Sequence, residues 1–461
     1  MQRILAMTWL TWKAAFRFRL FLLLTGLLLA AVIGLPILIK DDGTARGFTQ
    51  ILITYTLGAI TALLGLSTLW LACGILARDI EDCQIQVLVT KPIARWQIWL
   101  GKWLGILFLN AALLAISGAG VYGLLKWRST RLSAPEQKIL REEVLVARGS
   151  AREANMDSEI DQETDRILHE RQEKNPVPQG LLKAVRKQIR EQIKAQFQVV
   201  PPGYSRPWQI DLGRSVATLR DRPMQLRVKF NSADKSPSGT FGALFRIGVP
   251  KKTRLWQSEI MSLSPDSFHE FQIPPNLFDE NGVLTIAFVN PNETALLFPL
   301  DEGMEVLYPQ GGFGGNFIRG LGIIFCWMAL LAALGLTAAS LLSFPVAAFF
   351  SLAVLTMALS TGTLSTVVEQ GTIADWDAEK GTKGHTPLDI IIVPAFQGAL
   401  KLIGLARDFS PVDSLSTGRT ITYGQLGRAI AQIIVLLGGC LAAIGISIFS
   451  RRELATAQTL Q

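Results

Sequence analysis

Six stretches of this chain run for about twenty residues or more, the length that crosses a bilayer, without one charged side chain. They are residues 20–39, 51–77, 103–125, 321–342, 345–367 and 429–449. Runs of that length fold as spanning helices, because hydrocarbon offers no partner for an unpaired peptide group. The fourth and fifth run together, with only "SLLSFP" between them. A single helix over 321–367 would be roughly 70 Å long at ~1.5 Å per residue, against a ~30 Å hydrocarbon core. Pro345 therefore predicts a tight hairpin.

Of 461 residues, 49% are hydrophobic and 18% charged, where about 25% is usual for a soluble chain. Charge gathers instead in the middle, over 128–316. The net charge of +8 does not indicate nucleic acid, because the excess flanks the apolar runs: Arg3, Lys13, Arg17, Arg19, Arg78, Lys91, Arg95, Lys102, Arg451 and Arg452. Cations in such positions mark the cytoplasmic side. That puts both termini and the segment 78–102 inside, with 128–316 and the loop after Val367 outside. The leader "MQRILAMTWLTWKAAFRFRL" mixes aromatics and cations and reads as an interfacial amphipathic helix. It precedes an apolar run too long for a signal peptide, with further spans behind it.

No ionisable residue falls in the middle of a span. Ion-coupled carriers and proton relays keep such groups there despite a cost of about 2.5–3.5 kcal/mol each, so any transport by this chain must be powered elsewhere. No G-x-x-x-x-G-K-[ST] occurs; "EKGTKGHT" and "GGFGGN" read as turns. Cys73, Cys326 and Cys440 lie in apolar runs and Cys83 outside them, with no ligand spacing. No cofactor is expected in this chain, and no catalytic or metal-binding residue.

Between the second and third spans stands "ILARDIEDCQIQVLVTKPIARWQIWLGKW". Ile80, Cys83 and Val87 recur at helical spacing, although Cys83, Ile85, Val87 and Val89 also alternate as a strand would. Pro92 ends this piece. Trp96, Trp99 and Trp103 then share a helical face suited to the headgroup level. The stretch predicts a short surface helix, a break, and an elbow that feeds the third span.

This stretch resembles the cytoplasmic coupling region of type-2 ATP-binding-cassette (ABC) transporter permeases. There an acidic and apolar helix precedes a Lys-Pro-x-x-Arg element and a Gly-Lys that opens the next span. Lys91, Pro92, Arg95, Gly101 and Lys102 match that pattern, as do the six-span layout and the closing "FSRREL". The resemblance covers both membrane halves, 1–127 and 317–461. It implies that Arg78, Asp79, Glu81 and Asp82 meet a cytoplasmic ATPase that carries the ATP and Mg, while Lys91, Arg95 and Lys102 hold the elbow at anionic headgroups. It also implies a second permease copy as partner and a bacterial inner membrane as the location. An ordinary charged loop obeying the inside-positive bias is the plainer alternative.

The insert divides in two. Residues 128–198 are charged and helical; in "GLLKAVRKQIREQIKAQF", Leu182, Val185, Ile189 and Ile193 share a face. Residues 199–316 carry short alternating segments and turns that predict a β-sandwich. Trp208 and Trp256, with Phe268, are candidate sugar platforms, with core aromatics as the alternative. His169 and His269 are isolated from other metal-ligand residues. Asn292-Glu-Thr294 is a glycosylation sequon, incidental in a bacterium. Residues 387–408 are apolar but interrupted by Pro394 and Gly398, and predict a re-entrant or interfacial segment.

The fold class expected is thus a polytopic α-helical membrane protein with six transmembrane helices and an inserted extracytoplasmic α+β domain. The function expected is that of a non-catalytic permease subunit, coupling ATP hydrolysis on another chain to export or to force on the external domain. The rival is a membrane-anchored scaffold whose sandwich captures a glycan or protein. A polytopic enzyme ranks last, because the loops lack an acid–base cluster.

Overall fold

The computed structural model describes residues 2–452 apart from 18, 39–43, 86–92, 141–143, 175–181, 233, 235–237, 250–251, 373–375, 378–381, 384–387 and 408. The chain opens with α1 (Gln2–Ala15), α2 (Arg19–Leu38), α3 (Ala45–Glu81) and α4 (Arg95–Ser129). At ~1.5 Å per residue α3 and α4 each exceed 50 Å, well past a ~30 Å core. Both overrun their apolar windows into the charged flanks. Thr44 caps α3, its hydroxyl accepting the Gly47 N–H at 3.1 Å.

Residues 146–311 form a separate compact unit. These bounds are narrower than the expected 128–316, since α4 carries the chain on to Ser129 and Glu136 accepts the Ala45 N–H back in the helical unit. The unit holds a helical hairpin, α5 (Asp157–Lys174) and α6 (Leu182–Gln198), closed by Ile160, Ile189 and Ile193. Arg190 pairs with Asp157 and Asp161, and Arg186 with Asp165, all at 2.8–2.9 Å.

Its strands are β1 (Val146–Ala151), β2 (Val199–Val200), β3 (Ser205–Asp211), β4 (Met224–Val228), β5 (Asn231–Ser232), β6 (Phe241–Ile247), β7 (Trp256–Gln257), β8 (Met261–Leu263), β9 (His269–Ile273), β10 (Val283–Val289), β11 (Leu296–Leu297) and β12 (Met304–Gly312). One sheet runs β1-β12-β4-β9 and another β3-β10-β6-β7, with β8 on β6 and a small sheet β2-β11-β5. Alternate residues of both larger sheets meet in one core: Leu226, Val228 and Val306 with Ile210, Phe245 and Phe288. β1 lies in the part expected to be helical; Ala147 and Ala151, small and buried, alternate with the polar Arg148 and Ser150 as a strand requires.

The helical unit resumes with α7 (Phe313–Leu341), α8 (Phe344–Leu359), α9 (Thr361–Gln370), α10 (Asp389–Arg407), α11 (Pro411–Ser416) and α12 (Tyr423–Arg451), the last π-helical over Ile430–Gly438. Phe313–Asn316, expected as a turn, instead opens α7. The hairpin at Pro345 is present: Ser343 stands at the N-cap position of α8 and Pro345 sits in its first turn.

Among the described residues six helices, α2, α3, α4, α7, α10 extended through α11, and α12, are long and apolar enough to cross a membrane, or seven if α8 and α9 together make one bent span. This is the architecture of a helical membrane protein carrying an inserted β-rich unit. Two segments depart from the expected geometry. The run 345–367 is not one straight span, because α8 and α9 meet at a 66° bend, where Ser360, Thr361 and Gly362 interrupt the apolar sequence. Conversely, α10 continues unbroken through Pro394 and Gly398.

The helical unit has two ends. At one, Pro36 of α2 and Phe48 of α3 meet Arg128 of α4, and Asn316 of α7 bonds Arg419, just before α12. At the other, α3 ends, α4 begins, α7 turns into α8, and α12 finishes. α1 packs there too, on the first turns of α4.

Candidate functional site

The second of these ends gathers most of the charged residues predicted as a coupling segment. α3 itself runs on to Glu81, so Arg78, Asp79 and Glu81 belong to its last turns; the chain is helical again at Gln84 and Ile85, and the rest of the expected surface helix lies outside the described residues. Asp82 closes α3 by donating its N–H to the Arg78 carbonyl at 2.7 Å. Cys83 then reverses the chain with φ +58°, in the left-handed region. Ile85 returns to the core, while Glu81, Asp82, Cys83 and Gln84 stay exposed. Lys91 and Pro92 lie outside the described residues.

Lys102 is not at headgroups. It is only 2% exposed, because α4 begins at Arg95 and turns this side chain onto α3. Its ammonium donates to the Asp79 carboxylate and, at 3.1 Å, to the Ile75 carbonyl. Asp79, expected to meet a partner, is therefore already engaged. Beside it the spacing Gly101-x-x-x-Gly105 lets α1 approach. A Cβ on Gly101 would overlap Met7, and one on Gly105 would come within 2.6 Å of the Thr11 Cβ. Glycines in this spacing commonly allow close helix approach in membrane proteins. Thr8 adds a hydrogen bond to the Gly101 carbonyl at 3.3 Å.

Arg95 also turns inward. Its guanidinium donates to the carbonyls of Phe449, Ser450 and Arg452 at 3.1, 2.9 and 2.8 Å. A helix leaves its last carbonyls without internal partners and its C-terminus partly negative, so a cation there stabilises it. Arg452 repeats the device, donating to Ser340 at the end of α7 at 3.0 Å. Glu81 does the converse: its carboxylate accepts the Phe344 N–H at 2.9 Å and caps the start of α8. The Arg78 guanidinium lies 4.7 Å from the centre of the Phe344 ring. Five helices are thus cross-linked by charged side chains at one end.

Sequence reasoning missed the roles of Arg452, Phe344 and the α12 carbonyls. The available signal was a cation one turn past an apolar run, which reads equally well as an inside-positive flank. The three tryptophans do not act as a set. Trp96 is exposed, Trp99 is buried in the core, and Trp103 donates its indole N–H to the Ala329 carbonyl at 3.1 Å.

In the β-rich unit Trp208 is 3% exposed. Phe298 meets it at 5.2 Å and the Arg206 guanidinium lies 4.5 Å from its ring centre. It is a core residue with no open platform. Trp256 is half-buried against the same core, and Phe268 carries Arg227 at 3.9 Å. On the polar face of β1-β12-β4-β9, Arg148 pairs with Glu270 at 2.9 Å and Arg152 with Glu305 at 3.2 Å; Arg227 lies 3.7 and 3.8 Å from the same two carboxylates. Burial raises the Glu153 pKa and lowers that of its partner Arg206, in each case despite their mutual attraction. The Asn292 amide donates to the Gly242 carbonyl at 2.8 Å, so the sequon side chain is engaged within the fold. Among the described residues no three His, Cys, Asp or Glu side chains gather as a metal site.

No family model, no curated protein and no solved structure matches this chain.

Proposed function

We propose that this chain is the permease subunit of an ABC transporter, working as a pair with a second permease copy on cytoplasmic ATPase chains that bind the ATP and Mg. In this reading the end bearing Glu81, Arg95 and Lys102 faces the cytoplasm, and the β-rich unit is extracytoplasmic. The location is the inner membrane of a bacterium. ATPase motion enters at the exposed turn 81–84 and is used for export or for force on the external unit.

The observation that carries this reading is the cross-linked end. A push on the turn after α3 reaches α8 through Glu81 and Phe344, and α4 through Asp79 and Lys102. From α4 it reaches α12 through Arg95, and from α12 it passes to α7 through Arg452 and Ser340. Charged contacts with helix ends are directional, so such a set transmits displacement better than apolar packing alone.

The direct contacts fall to Asp82 and Gln84, with Arg78 and Glu81 beside them. Asp82→Arg in the full-length chain should abolish co-purification of ATP hydrolysis from native membranes, while the yield of the chain itself stays unchanged. Full recovery of ATPase activity with the variant would refute the coupling role.

A further inference from the structure

The helix α1 has two apolar faces, and among the described residues only one of them is covered. Met7, Thr11 and Ala15 are buried on the Gly101 and Gly105 side of α4. The opposite face presents Leu5 (67% exposed), Trp9 (60% exposed), Leu10 and Phe16 outward. Leu5, Trp9, Lys13 and Phe16 follow one another at helical spacing, so they make a single stripe. Lys13 lies 5.5 Å from the Trp9 ring centre, and Arg17 and Arg19 are exposed just beyond. Residues 1–19 contain four cations, Arg3, Lys13, Arg17 and Arg19, and no acidic residue.

At 14 residues α1 measures about 21 Å, too short to cross a ~30 Å core. An aromatic stripe that size is poorly placed in water, and the cations at its end are poorly placed in hydrocarbon. Both are satisfied at the boundary between headgroups and acyl chains, where rings sit at the carbonyl level and cations meet phosphate.

We propose that the outward face of α1 is a docking surface for acidic phospholipid, with Lys13, Arg17 and Arg19 on the phosphates and Leu5, Trp9 and Phe16 among the acyl carbonyls. The other face of α1 rests on the two glycines that flank Lys102, so leaflet charge stabilises the end of the bundle where α3 meets α4. The inference depends on the apolar spanning helices and not on the transporter reading.

The test uses the full-length chain in a neutral detergent and follows its thermal midpoint as lipid is added. Phosphatidylglycerol should raise the midpoint, and phosphatidylcholine and inorganic phosphate should not. Lys13→Gln with Arg17→Gln should weaken the apparent lipid affinity by roughly fivefold per cation removed, the scale of one basic residue at an anionic surface. Lys13→Arg with Arg17→Lys should keep the response. Because these side chains are exposed, the core is untouched; as a check that needs no variant, 0.5 M salt should suppress the wild-type response by screening. An undiminished response in the double Gln variant would overturn the proposal. So would an equal rise with phosphatidylcholine, or one with phosphate alone.

Discussion

Lys102 of α4 is held by Asp79 of α3 in the interior of the helical unit, with the Ile75 carbonyl as its second acceptor. Removing one member of such a pair leaves a charge with no partner, whereas removing both leaves only volume to fill. Asp79→Leu should therefore destabilise the chain by about 3–5 kcal/mol, and adding Lys102→Met should restore most of that loss. Thermal midpoints of the wild type, both single variants and the double variant test this as a cycle. Additive losses would mean that the pair is not coupled.

Arg95 reaches three carbonyls at the end of α12. Arg95→Met should cost about 1.5–3 kcal/mol, the scale of a hydrogen bond to a charged group, and should speed hydrogen exchange of the last turn of α12. Arg95→Lys should recover only part, because an ammonium lacks the planar fork of donors. Unchanged exchange over 446–452 would rule out the clamp.

Gly105 should tolerate no branched side chain. Gly105→Val drives its Cβ against Thr11 and the Thr8 carbonyl, an overpacking cost of about 1–3 kcal/mol that α1 can relieve by lifting away. A thiol introduced at Thr11, buried in the wild type, should then react readily with maleimide. A thiol that stays protected would show that α1 is held by something other than the glycine notch.

Two ion pairs of the β-rich unit respond to pH with opposite sign. Burial raises the Glu153 pKa, so the folded state holds that proton more tightly than the unfolded one. The stabilising contribution is complete below the unfolded value and disappears as pH rises through the folded one. The hydrogen bonds from Arg186 lower the Asp165 pKa, so its contribution is present above the unfolded value and is lost on acidification through the folded one. Glu153→Gln should flatten the alkaline-going decline, and Asp165→Asn the acid-going one, in midpoints measured from pH 3 to 7. Identical profiles for both variants and the wild type would remove this assignment.

The apolar runs made the helical class legible, and the short alternating segments over 199–316 made the β-rich part legible. The fate of individual polar residues was not. Lys102 and Arg95 fit a headgroup anchor as well as an internal tether, since a sequence gives distance from an apolar run but not the neighbour it faces. Trp96, Trp99 and Trp103 share a stripe, yet α12 covers Trp99 through Gly445 and leaves Trp96 outside. Gln225 and Arg227 alternate as solvent-facing residues should, but Arg148 bonds Gln225 and the carboxylates of Glu270 and Glu305 lie beside Arg227, so both are buried in an ionic layer. The bend between α8 and α9 follows from three polar or flexible residues that hydropathy averages away.

The most direct test of the account is the side of the membrane from which Cys83 can be reached. Cys73 and Cys326 are buried, and Cys440 is the other exposed thiol, so Cys440→Ser leaves Cys83 as the reporter. With an impermeant maleimide, Cys83 should label in inverted membrane vesicles, resist labelling in intact cells, and become protected when the ATPase is bound. Labelling from outside intact cells would put the turn after α3 on the wrong face and contradict the proposed route of energy entry.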